Sequence, residues 1–245
     1  FYKLKKVLAL LFVVLATLFF VKAHLSSNFS PDRQKPNSLV YYHDADNNKN
    51  YWATYDQELD DWTKEYLGDS PEPASSFISY ASGSKYAKGY KFANVAPNKN
   101  IPVFKTVLHK DTIINQYKEV SFTIFPQRAV NQISLYTAEE ANFKSLSFNG
   151  QSFPLNNSLK NTTQKIKSKE LVRYYVSDKD SLVVSYKVSK NQKVSFTVLE
   201  YSYDLLNNPQ FKINKRADYM MPKPFIVTDA IIIKKELQIE NLITF

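Results

Sequence analysis

From Val7 to Val21 the chain reads VLALLFVVLATLFFV, fifteen residues in which Thr17 is the one polar side chain, with Lys3, Lys5 and Lys6 ahead of it. A stretch apolar on every side needs apolar surroundings on every side, and a helix of about 20 residues crosses the hydrocarbon of a bilayer. Leu4 and the flank Ala23–Leu25 bring the stretch to that length, and Lys5, Lys6 and Lys22 can snorkel to the interface. The pattern predicts a transmembrane helix over 1–25. A cleaved secretory signal shares the basic start and apolar centre, but Val21-Lys22-Ala23 sets lysine where a cleavage site needs a neutral residue. Both readings send the rest of the chain across a membrane. The lysine-rich N-terminus stays cytoplasmic and the domain lies on the exported side, in a periplasm or the lumen of an organelle.

Beyond Lys22 the pattern changes. Residues 26–38, SSNFSPDRQKPNS, are a polar spacer punctuated by proline. Leu39–His43 and Tyr51–Tyr55 read as paired strands around the turn Asp44–Asn50. A helix follows, with Asp56 as its N-cap, Leu59, Trp62 and Tyr66 as its apolar stripe and Gly68 just past its end. From Ile101 short strands recur: Val103–Leu108, Val120–Phe125, Gln132–Thr137, Ser145–Phe148, Leu171–Val176, Leu182–Val188 and Val194–Tyr201. Val120, Phe122 and Ile124 alternate with Ser121 and Thr123, and Asn149-Gly150 marks a hairpin. Asn156–Lys169 reads as an exposed loop. One short helix among many strands predicts a mainly β fold, an antiparallel β-sandwich forming a single exported domain over 39–245.

Composition sharpens this. Seventeen Tyr, seventeen Phe and two Trp suit strands, four glycines leave no Gly-rich phosphate loop, and the absence of cysteine removes disulfides and thiolate metal sites. Of the net charge of +9, four lysines belong to residues 1–25, so the exported part carries +5 with both signs interspersed. Nucleic acid is therefore not an expected partner. Phe1 is not an initiator Met, so the chain is expected to be a piece of a longer protein unless its start has been processed.

The candidate chemistry is sparse. Asp44, Asp46, Asn48 and Asn50 have calcium-loop spacing, but Lys49 replaces the glycine and Tyr55 stands where the bidentate glutamate belongs. A solvated turn explains them better. His109-Lys110-Asp111 and Glu139-Glu140 are ligand-like pairs, yet His24, His43 and His109 are all the imidazoles present, too few and wrongly placed for a dinuclear zinc site. No G-x-S-x-G occurs. Asn28, Asn156 and Asn161 begin glycosylation sequons. The aromatics serve either as core or as a sugar-stacking platform, the latter making the chain an extracytoplasmic glycan- or protein-binding module on a membrane anchor.

Two stretches resemble a known family. Asn37-Ser38-Leu39-Val40-Tyr41-Tyr42, Asp44-Ala45-Asp46, Tyr51-Trp52-Ala53-Thr54-Tyr55, then Leu59, Trp62 and Leu67-Gly68, form the first. Arg216, then Asp218-Tyr219-Met220-Met221-Pro222-Lys223-Pro224-Phe225, and Asp229-Ala230-Ile231-Ile232-Ile233-Lys234 form the second. Together they resemble the opening and closing of the C-terminal domain of membrane-anchored zinc exopeptidases, the group of the endoplasmic-reticulum metallopeptidase, the vacuolar membrane protease and their bacterial relatives. Ala217 and Tyr219 depart from the proline and tryptophan usual in that pattern. The resemblance implies a non-catalytic domain whose partners are the membrane, the upstream peptidase domain and its transmembrane helices. It implies zinc only in that upstream domain, with no cofactor, catalytic residue or metal ligand in this stretch. Met220, Met221, Pro222 and Phe225, with Trp52 and Trp62, are the candidate partner contacts; for the closing segment a core edge strand is the competing reading.

Overall fold

The structure is a computed structural model that describes residues 2–80, 89–137, 141–153, 169–177 and 180–239. It is mainly β and divides into two units, residues 1–36 with 215–222, and residues 37–214 with 223–245. In the first, helix α1 (Tyr2–Leu25) exposes its leucines, valines and phenylalanines all round, and Leu4–Leu25 is long and apolar enough to cross a membrane. The polar spacer contributes strand β1 (Lys35–Asn37), which forms a two-stranded ribbon with a late strand over Met220–Pro222. Lys35 N donates to Tyr219 O at 2.7 Å, and Gln34 Nε2 to Asp218 O at 2.9 Å.

The second unit opens with β2 (Val40–Asp44), β3 (Lys49–Thr54) and helix α2 (Asp61–Leu67), then the two-residue β4 (Glu72–Pro73), a 3-10 turn at Ala74–Ser76, and β5 (Phe92–Val95). A long hairpin follows, β6 (Lys105–Ile114) and β7 (Tyr117–Phe125). After it come β8 (Gln132–Thr137), β9 (Ser145–Phe148), β10 (Gln151–Ser152), β11 (Lys169–Tyr175), β12 (Leu182–Ser189) and β13 (Ser195–Ser202). The strand Met220–Pro222 of the ribbon is β14, and β15 (Ala230–Gln238) closes the set. One sheet has the order β10-β9-β12-β7-β6, the other β11-β8-β13-β15-β2-β3-β5-β4. All pairings inside these two sheets are antiparallel except β15 with β2, which run parallel from Ala230↔Val40 to Lys234↔Asp44. The antiparallel expectation fails at that one pair because both strands start from the same end of the unit.

The sheets share a core. Val120, Phe122 and Ile124 of β7 and Leu182, Val184, Tyr186 and Val188 of β12 meet Ile133, Leu135, Phe196 and Val198 from the larger sheet. Every second residue of β12 points inward, as expected of a sheet with one wet face. The larger sheet is covered on both faces. Ala74, Phe77, Ile78 and Tyr80 pack on Val40, Tyr42, Ala53, Tyr201 and Ile232, while Tyr41 and Trp52 on the opposite side meet Phe211 and Tyr66. Two covered faces explain why Ala230–Ile233 is apolar without alternation and wholly buried.

Helix α2 begins later than its apolar stripe suggested. Asp60, not Asp56, is the N-cap: its carboxylate accepts from Thr63 N at 2.9 Å, and Thr63 Oγ1 accepts from Asp60 N at 2.9 Å, closing a capping box. Gly68 ends the helix at φ +75°, a conformation that glycine reaches without a Cβ penalty, and donates to Lys64 O at 2.8 Å.

Candidate functional site

Within the second unit, Asn37–Leu39 and Lys223–Asp229 of the two resembling stretches lie side by side at the end of the sandwich where β2 and β15 start. Asp56, displaced from its expected capping role, is the buried hub there. Its carboxylate accepts from Ser38 N at 2.8 Å, Ser38 Oγ at 3.0 Å and Lys223 Nζ at 3.1 Å. Thr54 Oγ1 donates to Ser38 O at 2.7 Å, and Tyr55 N donates to Ser38 Oγ at 3.0 Å. Backbone bonds hold the loop 223–229 along 37–39: Lys223 N to Asn37 O at 2.8 Å and Asp229 N to Leu39 O at 2.8 Å, with Leu39 N reaching Thr228 Oγ1 at 3.1 Å. Inside this clamped loop Phe225 takes φ +65° and is 72% exposed. A bulky residue in the left-handed region costs roughly 1–2 kcal/mol, and its ring recovers little of that by burial.

A buried polar cluster sits where β13 leaves the same end. Glu200 is fully buried, and neither carboxylate oxygen makes a well-formed hydrogen bond, the Phe104 backbone amide giving it a weak one. Arg128, in the crossing from β7 to β8, donates through Nη1 to Ser202 Oγ, whereas its Nε and Nη2 have no partner. Asp204 accepts from Asn208 Nδ2 at 2.9 Å through Oδ2 and leaves Oδ1 without a partner. Burial raises the Glu200 carboxyl to about 7 against the opposing pull of the Arg128 guanidinium. Burial also lowers the Arg128 pKa from its ordinary value, countered by Glu200 and Asp204.

The expected partner contacts separate. Trp52 and Trp62, two of the candidate contacts, are buried. Trp52 packs edge-on against Tyr41 and against Phe211, and Trp62 Nε1 donates to Asn214 O at 2.7 Å while its ring meets Tyr66. Met220 is buried too, Met221 is half-buried and Pro222 is exposed, all three on β14 of the ribbon. Phe225 stands fully outward.

The carboxylates at the β2–β3 turn meet a cation of the protein's own. Lys234 Nζ lies 2.8 Å from Asp46, 3.5 Å from Asp44 and 3.2 Å from Glu236. Asp44 also accepts from Asn47 Nδ2 at 2.8 Å. His109 sits at the bulge in β6, its Nε2 2.7 Å from Thr123 Oγ1, and His43 Nδ1 is 2.7 Å from Asn50 Oδ1. Among the described residues no three His, Asp or Glu side chains converge as a metal would need. This donor set does not fit a dinuclear zinc centre. Glu139, Glu140 and the Asn156 and Asn161 sequons lie outside the described residues.

At the opposite end of the sandwich a cavity of about 270 Å³ is lined by Lys118, Lys193, Gln192, Gln238 and Tyr186 among others. Lys118 already faces Asp111 at 3.1 Å. Sequence reasoning missed Glu200, although it stands in period-two register with the inward Phe196 and Val198. It also missed the ion pairs of Asp56 with Lys223 and of Lys234 with Asp46, which join residues remote in the chain. No family model matches the chain, and no curated protein is significantly similar to it.

Proposed function

We propose that this chain is the membrane-anchored C-terminal domain of a zinc exopeptidase, non-catalytic by itself. In this reading α1 is its transmembrane helix, with the lysine-rich start in the cytoplasm and the β-sandwich on the exported side. The domain packs on the upstream peptidase domain or gates the approach of peptides to it. One observation carries the reading: the two segments that resemble the family's opening and closing, far apart in sequence, are neighbouring strands joined through β2–β15 and the Asp56–Lys223 pair.

Co-expression of the chain with an upstream peptidase domain tests this. The expected result is a raised thermal midpoint of the peptidase and an altered apparent affinity for peptides. An unchanged midpoint together with unchanged peptide affinity would count against it.

A further inference from the structure

The end of the sandwich where the chain enters from the anchor carries an unusual set of exposed rings. Tyr175 is 66% exposed at the end of β11, Tyr203 is 45% exposed just past β13, and Phe225 projects from the clamped loop before β15. Leu206, and Phe125 at the end of β7, are exposed at this end as well. The pairings fix the common end: Tyr175 lies opposite Gln132 at the start of β8, Ser202 opposite Ile231, and Ala230 opposite Val40. Asn131 joins two of the rings, its Oδ1 accepting from Tyr203 N at 2.9 Å and its carbonyl from Val176 N at 3.0 Å. From β11 to β2 the row crosses four strand spacings, roughly 20 Å.

None of these rings is explained by the core. Phe225 is the sharpest case, being both largely exposed and held at positive φ by bonds on either side, so its outward aim is imposed by the loop. Amphipathic tyrosine rings suit the headgroup level of a bilayer, and phenylalanine and leucine suit the layer just beneath; the Tyr203 hydroxyl is itself turned to Gln132 Oε1 at 3.4 Å, which leaves its ring edge outward. The tether decides which surface is within reach. Only Ser26–Pro36 separates the C-terminal end of α1 from Asn37, a segment that spans at most about 40 Å when extended. Asn37 emerges at this same end, bonded through its carbonyl to Lys223 N.

We infer that Phe225, Tyr203, Tyr175, Leu206 and Phe125 form a bilayer-contact surface that seats the sandwich on the headgroup region of the membrane its own helix crosses. This rests on the reading of α1 as a membrane span. The lipid is engaged through its interfacial zone, by ring insertion. The distal hairpin tip, where Ile113 and Ile114 are exposed, points the other way and stays in water.

The natural chain has no cysteine, so single-cysteine variants of the whole chain accept a spin label at one place each. Leu15→Cys, Tyr203→Cys, Phe225→Cys and Ile113→Cys are reconstituted in phosphatidylcholine nanodiscs, each first checked for an unchanged thermal transition. Collision with oxygen, which partitions into lipid, is compared with collision with a water-soluble nickel chelate. The expected result is lipid-like accessibility at 15, 203 and 225 and water-like accessibility at 113. Lipid-like accessibility at 15 with water-like values at 203 and 225 would overturn the inference and leave the anchor intact. Water-like accessibility at 15 would overturn the anchor and this inference with it. Shielding of 203 and 225 only after a peptidase domain is added would assign the surface to a protein partner and overturn the bilayer assignment.

Discussion

Glu200 shows how a single side chain can set the pH response of the domain. Its carboxyl, at about 7 when folded and near its ordinary 4.5 when unfolded, binds a proton more tightly in the folded state. The stability it supports is therefore full below about pH 4.5 and is lost as pH rises through about 7, by on the order of 3 kcal/mol. Glu200→Gln mimics the protonated form at every pH. Denaturant unfolding of this variant at pH 5 and pH 8 is expected to give nearly equal stabilities, whereas the wild type is weaker at pH 8. Asp56 is a different case, a buried carboxylate held by Ser38 N, Ser38 Oγ and Lys223 Nζ. Asp56→Ala strands those donors and is expected to cost about 3 kcal/mol, read as a lowered denaturation midpoint.

At the scale of elements, the hydrophobic pattern carried most of the fold. Gln132–Thr137 and Ser145–Phe148 fall within their predicted bounds, the hairpin turn forms with Asn149 at φ 47° and Gly150 at φ 78°, and Gly68 ends its helix as expected. These features are local, fixed by alternation and by residues that tolerate positive φ. What the sequence left hidden depends on partners far away. The N-cap fell on Asp60 because Asp56 is taken by Ser38 and Lys223, a choice set by a residue 167 positions along. The parallel β2–β15 pair and the Lys234 ion cluster are hidden for the same reason, and so is the burial of Trp52 and Trp62 under Phe211 and Asn214. Of the candidate contacts, Phe225 alone combined exposure with a constrained backbone. Asp60→Ala, which opens the capping box, is expected to lower stability by about 1 kcal/mol and to leave sheet content unchanged by circular dichroism.

For the molecule as a whole, an apolar helix fit to cross a bilayer is joined to a sandwich whose interior is closed by two sheets and by covering segments on the larger one. His43 and His109 are each bonded locally and His24 lies at the end of α1, while Asp44, Asp46 and Glu236 meet Lys234 and Asp56 meets Lys223. Among the described residues no group of three metal-ligating side chains is assembled. The most direct test is to purify the 245-residue chain, measure bound zinc by elemental analysis and assay release of N-terminal residues from short peptides. The account predicts zinc well below one ion per chain and no release above background. One or more tightly held zinc ions per chain, with peptide cleavage abolished by a chelator, would contradict it.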